Sequence, residues 1–107
     1  MFAFMTRLRA KPGCRDALIE LNRTMQDQTA GEAGVPVYVF HTVEDDPDEF
    51  IYYDLYETQA AYDAHCASAA FQAMLGQLGE LADILEMKKL VPFGPIKSEA
   101  LSGPTAG

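Results

Sequence analysis

The sequence predicts an α+β domain with the split β-α-β-β-α-β order of ferredoxin-like proteins, a four-stranded antiparallel sheet carrying its helices on one face. Apolar residues recur at every second position in the segments read as strands and at spacings of three and four in those read as helices. Turn-forming residues fall at the junctions. With 107 residues, 49% of them hydrophobic, the chain is long enough for one core and too short for separate cofactor and substrate domains.

The elements follow in order. Phe2 to Ala10 alternates Phe2, Phe4, Thr6 and Leu8 against Ala3, Met5, Arg7 and Arg9, a strand ended by Lys11-Pro12-Gly13. From Arg15 to about Thr29, Leu18, Leu21 and Met25 lie on one helical face, Asp16 sits in the first turn where the dipole favours an anion, and Gly31 is the expected C-cap. Val35 to Glu44 and Glu49 to Glu57 read as a hairpin around the turn Asp45-Asp46-Pro47-Asp48. Thr58 caps a short helix through Cys66, and Ser68 caps a longer one whose buried stripe is Phe71, Met74, Leu75, Leu78 and Leu81. Ile84 to Phe93 is the last strand. The domain thus covers residues 1–97, and residues 98–107, with Gly103-Pro104, have the composition of a flexible tail.

Charge and composition exclude several functions. Eight basic against 16 acidic residues give a net charge of −8, which repels nucleic acid and anionic lipid surfaces. No apolar run is long enough to cross a bilayer, and no leader pattern follows Met1 to Met5, so a cytoplasmic protein with neither nucleic acid nor membrane as partner is expected. Cys14 and Cys66, far apart and outside any CxxC, read as free thiols. No phosphate-binding glycine loop, GxSxG or HExxH occurs, and neither His41 nor His65 has Cys or carboxylates at metal spacing, so no cofactor or metal site is expected.

Val37, Val39 and Val43 alternate with Tyr38 and Phe40, and Phe50, Tyr52 and Tyr56 alternate with Ile51, Tyr53 and Leu55. Both faces of the hairpin are therefore apolar or aromatic, while helices can cover only one. The expected cover for the other is a second copy, giving a homodimer with sheets face to face.

The chemistry concentrates around the third strand and the helix after it. Asp54 shares a face with Phe50, Tyr52 and Tyr56, where desolvation would raise its pKa; the alternative is a carboxylate near the sheet edge that reaches water. His65 could present an imidazole to the same cavity or fill space as a hydrogen-bonded core residue. All five tyrosines fall in the hairpin and the short helix, as for a pocket with apolar walls and hydroxyl tips that takes a flat aromatic. Glu32, ahead of Gly34, reads as a turn residue, and His41 as structural.

Lys11-Pro12-Gly13, Glu32-Ala33-Gly34, Tyr38, Tyr53-Asp54-Leu55-Tyr56-Glu57, Ala60-Ala61, His65, Ser68 and Phe71 resemble the pattern of the antibiotic biosynthesis monooxygenase (ABM) family, which includes quinol monooxygenases. The resemblance spans residues 2 to 93 and implies a dimeric α+β barrel. It further implies oxidation of a quinol, phenol or polycyclic aromatic by molecular oxygen, with no cofactor. His65 matches the family's helix histidine and Asp54 stands where most members have Glu. Tyr38, Tyr53, Tyr56 and Phe71 are the implied substrate-binding residues. Related barrels that degrade haem use a Trp and a first-strand Asn, both lacking here. A non-catalytic aromatic-binding or stress-response domain, or an isomerase or cyclase, would use the same cavity.

Overall fold

Strand β1 (Phe2–Ala10) opens the chain in the computed structural model, which describes residues 1–94. Helix α1 (Arg15–Thr29), strands β2 (Val37–Val43) and β3 (Asp46–Tyr56), helices α2 (Gln59–Ala67) and α3 (Ala69–Leu81), and strand β4 (Ala82–Leu90) follow. Across the sheet the order is β2-β3-β1-β4, every neighbouring pair antiparallel. This is the expected ferredoxin-like arrangement. The tail expected over residues 98–107 lies outside the described residues.

Register decides which side chains face the helices. Phe2 stands opposite Tyr56, Phe4 opposite Asp54, Thr6 opposite Tyr52 and Leu8 opposite Phe50. Because strand side chains alternate, these even-numbered residues share one face. Leu8 and Phe50, both fully buried, pack there with Leu18 and Met25 of α1 and with Met74 and Leu78 of α3. Each such side chain contributes about 1.5–3 kcal/mol of hydrophobic stabilisation. Around the core the helix ends are capped as read from sequence: Thr58 Oγ1 accepts the Ala61 N–H and Ser68 Oγ the Phe71 N–H, both at 3.1 Å.

The opposite face is divided. Near one end Ala3 and Leu55 are buried and Met5, Val37, Val39, Ile51 and Tyr53 half-buried. Toward the other, the Arg7 guanidinium reaches Glu49 at 3.3 Å and Glu86 at 3.4 Å, and Arg9 pairs with Asp46. The expected apolar second face is thus apolar over part of its length and ionic over the rest.

Four local expectations are corrected. The hairpin turn is Glu44-Asp45, and Asp46 already pairs with Val43. The ladder then jumps to Thr42 opposite Phe50, leaving Pro47, which has no N–H to donate, in a bulge. The C-cap of α1 is Ala30, and Gly34, rather than Gly31, takes the left-handed conformation at φ 78°. Strand β4 begins at Ala82, directly after α3, and ends at Leu90. Leu85 is an extra residue between the pairs Leu8/Ile84 and Arg7/Glu86, so simple alternation misplaces the strand. Leu75, expected in the buried stripe of α3, is 45% exposed.

Candidate functional site

Between the helix face of the sheet and helices α2 and α3 lies a cavity of about 100 Å³. Phe4 and Thr6 of β1, Tyr38 of β2, and Tyr52, Asp54 and Tyr56 of β3 form its floor. Tyr62, His65 and Cys66 of α2 and Phe71, Met74, Leu75 and Leu78 of α3 form its roof, and Ile84 and Met87 of β4 its open side. Of the sequence-derived site residues, Tyr38, Asp54, Tyr56, His65 and Phe71 come together here. Tyr53 does not: it pairs with Met5 and Val39 on the opposite face, because odd positions of β3 point away from the helices.

His65 is only 2% exposed. Its Nδ1 lies 2.6 Å from Glu32 Oε1, and its ring sits 5.1 Å from Phe71, 5.5 Å from Tyr38 and 5.6 Å from Tyr56 between centroids. A carboxylate accepts, so Nδ1 donates to Glu32, and in the neutral form of the ring Nε2 is the nitrogen that can accept. The loop that brings Glu32 here is pinned locally. The Glu32 N–H bonds Thr29 O and the Glu57 N–H bonds Gly34 O, each at 2.9 Å. A Cβ at Gly34 would stand 2.6 Å from Ala61 Cβ, so only glycine lets the loop press against α2.

Asp54 accepts a hydrogen bond from Tyr56 Oη at 2.5 Å, its i+2 neighbour on the same face. Burial pushes the Asp54 carboxyl above the usual range, and the Tyr56 hydroxyl and nearby His65 pull it partly back. Burial likewise drives the Tyr38, Tyr52 and Tyr56 hydroxyls well above their ordinary value, and that of Tyr62 up to about 12, so all four stay neutral near physiological pH. The cavity therefore combines apolar walls, neutral hydroxyls and two carboxyl-linked groups that can hold or move a proton.

Glu32 was legible only as a turn residue, since its contact with His65 spans a separation of 33 residues that no local pattern encodes. Ile84 and Met87 were hidden by the irregularity of β4. His41 lies on the other face with Nδ1 2.9 Å from Ile51 O, matching its structural reading. Cys14 and Cys66 are free. Among the described residues no group of three or more His, Cys, Asp or Glu could hold a metal ion, and no helix is long and apolar enough to cross a membrane.

Solved structures share this architecture. Rv0793 of Mycobacterium tuberculosis is 26% identical, with 90% of this chain and 98% of that one covered at a TM-score of 0.82. SO0527 of Shewanella oneidensis is also 26% identical, with 82% and 86% covered at 0.76. A Chloroflexus aurantiacus protein named for the antibiotic biosynthesis monooxygenases is 23% identical, with 90% and 96% covered at 0.76. No curated protein matches the chain. The family model for antibiotic biosynthesis monooxygenase matches residues 1–77, a stretch that carries β1 through α2, most of α3 and with them both carboxyl-linked pairs of the cavity. By that match the chain belongs to the antibiotic biosynthesis monooxygenase family.

Proposed function

We propose that the chain oxidises a small phenol or quinol with molecular oxygen, in a reaction whose electrons all come from the substrate, and that it works as a homodimer whose second copy covers the open sheet face. The observation that carries this reading is the buried His65–Glu32 pair inside a tyrosine-walled cavity. His65 Nε2 takes the phenolic proton, and Glu32 on Nδ1 stabilises the resulting imidazolium. The phenolate is electron-rich enough to pass one electron to oxygen. Collapse of the radical pair forms a C–O bond at a ring carbon, giving a hydroperoxide. Cleavage of the O–O bond then leaves one oxygen atom as a new ring carbonyl. The other departs as water with the two hydrogens from the phenolic O–H and the ring C–H, the His65 imidazolium or Asp54 delivering the proton. A phenol becomes a quinone, and a quinol a hydroxyquinone. Apolar walls keep water from the radical stage.

Oxygen-electrode recordings with a panel of quinols test this. Wild type should consume oxygen, and His65→Ala should be slower by about a thousandfold, within the range of general acid–base contributions. Binding without oxygen uptake would show a carrier, and product formation under argon an isomerase or cyclase; either result overturns the proposal.

A further inference from the structure

We infer that this cavity selects uncharged, single-ring phenols over their carboxylated counterparts, and that the Tyr52 hydroxyl is the group that hydrogen-bonds the substrate's second oxygen. This rests on the reading of the cavity as a phenol site and adds the substrate's charge class and a residue that the reading did not use.

Three observations carry it. First, among the described residues the cavity wall contains no Lys or Arg, whereas Asp54 is in the wall and Glu32 stands directly behind His65. A ligand carboxylate would be desolvated with no counter-charge and beside other carboxyl groups, the least favourable way to bury an ion. Arg7 and Arg9 bind Glu49, Glu86 and Asp46 on the other face, and Lys88 pairs with Glu86. Lys89, opposite Phe4 on the cavity face, is outside the wall, with its ammonium over the Phe2 ring at 4.4 Å from the centroid. Second, Tyr52 is 7% exposed and forms part of the cavity floor, yet its hydroxyl has no hydrogen-bond partner among the described residues. The Tyr56 hydroxyl, four positions further along β3, is spent on Asp54. A buried hydroxyl that pairs with nothing in its own chain costs stability, and a neutral oxygen of a ligand is the partner that removes the cost. Third, an enclosed space of only about 100 Å³ leaves no room for a second fused ring, and the exposed Leu75, Ile84 and Met87 give its open side an apolar rim along which ring substituents can extend.

The test compares methyl 4-hydroxybenzoate with 4-hydroxybenzoate, nearly identical in shape and differing in charge, by calorimetric titration of the full chain under argon at neutral pH. The ester should bind at least about tenfold more tightly than the acid. Tyr52→Phe should weaken the ester by about fivefold, the loss of one neutral hydrogen bond, while leaving resistance to urea unchanged or improved. Met87→Arg, which sets a cation at the mouth, should bring the acid toward the ester. Equal or tighter binding of the acid overturns the inference, and so does a preference for the acid that Lys89→Ala abolishes. It is also overturned if neither probe binds at millimolar concentration, or if Tyr52→Phe leaves the ester's affinity unchanged. Only binding is read, so a wild type that selects the ester yet consumes no oxygen with quinols sinks the oxidation reading and leaves this one standing.

Discussion

On β3, Phe50, Tyr52, Asp54 and Tyr56 turn toward the helices while Glu49, Ile51, Tyr53 and Leu55 turn away, so one strand supplies two unlike surfaces. The first set enters the core and the cavity. The second set lies beside Met5, Val37 and Val39 and an ionic band centred on Arg7. Tyr56 and Tyr53 show the contrast best. Both are tyrosines of one strand, but Tyr56 donates a hydrogen bond to the Asp54 carboxyl in a desolvated cavity, and burial holds its hydroxyl neutral. The lesson is that strand parity and burial, rather than residue type, decide whether an aromatic belongs to the site.

The largest expected effect comes from adjacent residues on opposite faces. Phe50→Ala should lose about 4 kcal/mol of unfolding free energy, because it empties a fully packed core position. Ile51→Ala should lose only about 1 kcal/mol when measured at protein concentrations too low for self-association. Urea titrations giving equal losses would break the distinction between the faces.

A second pair concerns the loop behind the site. Gly34 and Gly13 both have positive φ, 78° and 77°, but an added Cβ meets Ala61 at the first and nothing within 4 Å at the second. Gly34→Ala should cost about 3 kcal/mol, backbone strain plus a clash that pushes the Glu32 loop off α2, against about 1 kcal/mol for Gly13→Ala. Denaturation midpoints check the order, and equal shifts would show that the loop is not pinned through α2.

The smallest effect, and the one with a sign to determine, is that of Asp54. Its carboxyl is raised in the folded chain and returns to the ordinary value on unfolding. Between those two values the folded state keeps a proton that the unfolded state has released. This contribution to stability is present at the acid end and is lost as pH rises through the folded value. Asp54→Asn should therefore flatten the pH dependence of the melting temperature over that window and be more stable than wild type at neutral pH. A wild type more stable than Asp54→Asn at neutral pH would contradict the burial argument.

How much of this was legible in the sequence follows from the range of each interaction. The order of elements, the alternation of β1 and β3 that sets Asp54 on one face with Phe50, Tyr52 and Tyr56, and the caps at Thr58 and Ser68 rest on neighbours two to four positions apart, and periodicity exposes them. Tyr53 was misplaced because its residue type resembles a pocket wall while its parity points elsewhere. Gly31 was preferred to Gly34 because it follows the helix at once, whereas the backbone needs its left-handed residue where the loop meets Ala61. The limits of β4 were obscured by Leu85, since one extra residue interchanges the faces beyond it. Glu32 and the unpaired Tyr52 hydroxyl depend on tertiary packing alone.

An aromatic ligand is expected to enter beneath the helices rather than on the open face of the sheet. Chemical-shift mapping of side-chain resonances during titration with methyl 4-hydroxybenzoate tests that most directly. The predicted result is movement of Tyr38, Tyr56, His65 and Phe71 with Val39, Ile51 and Tyr53 unchanged; movement confined to Val39, Ile51 and Tyr53 would contradict it.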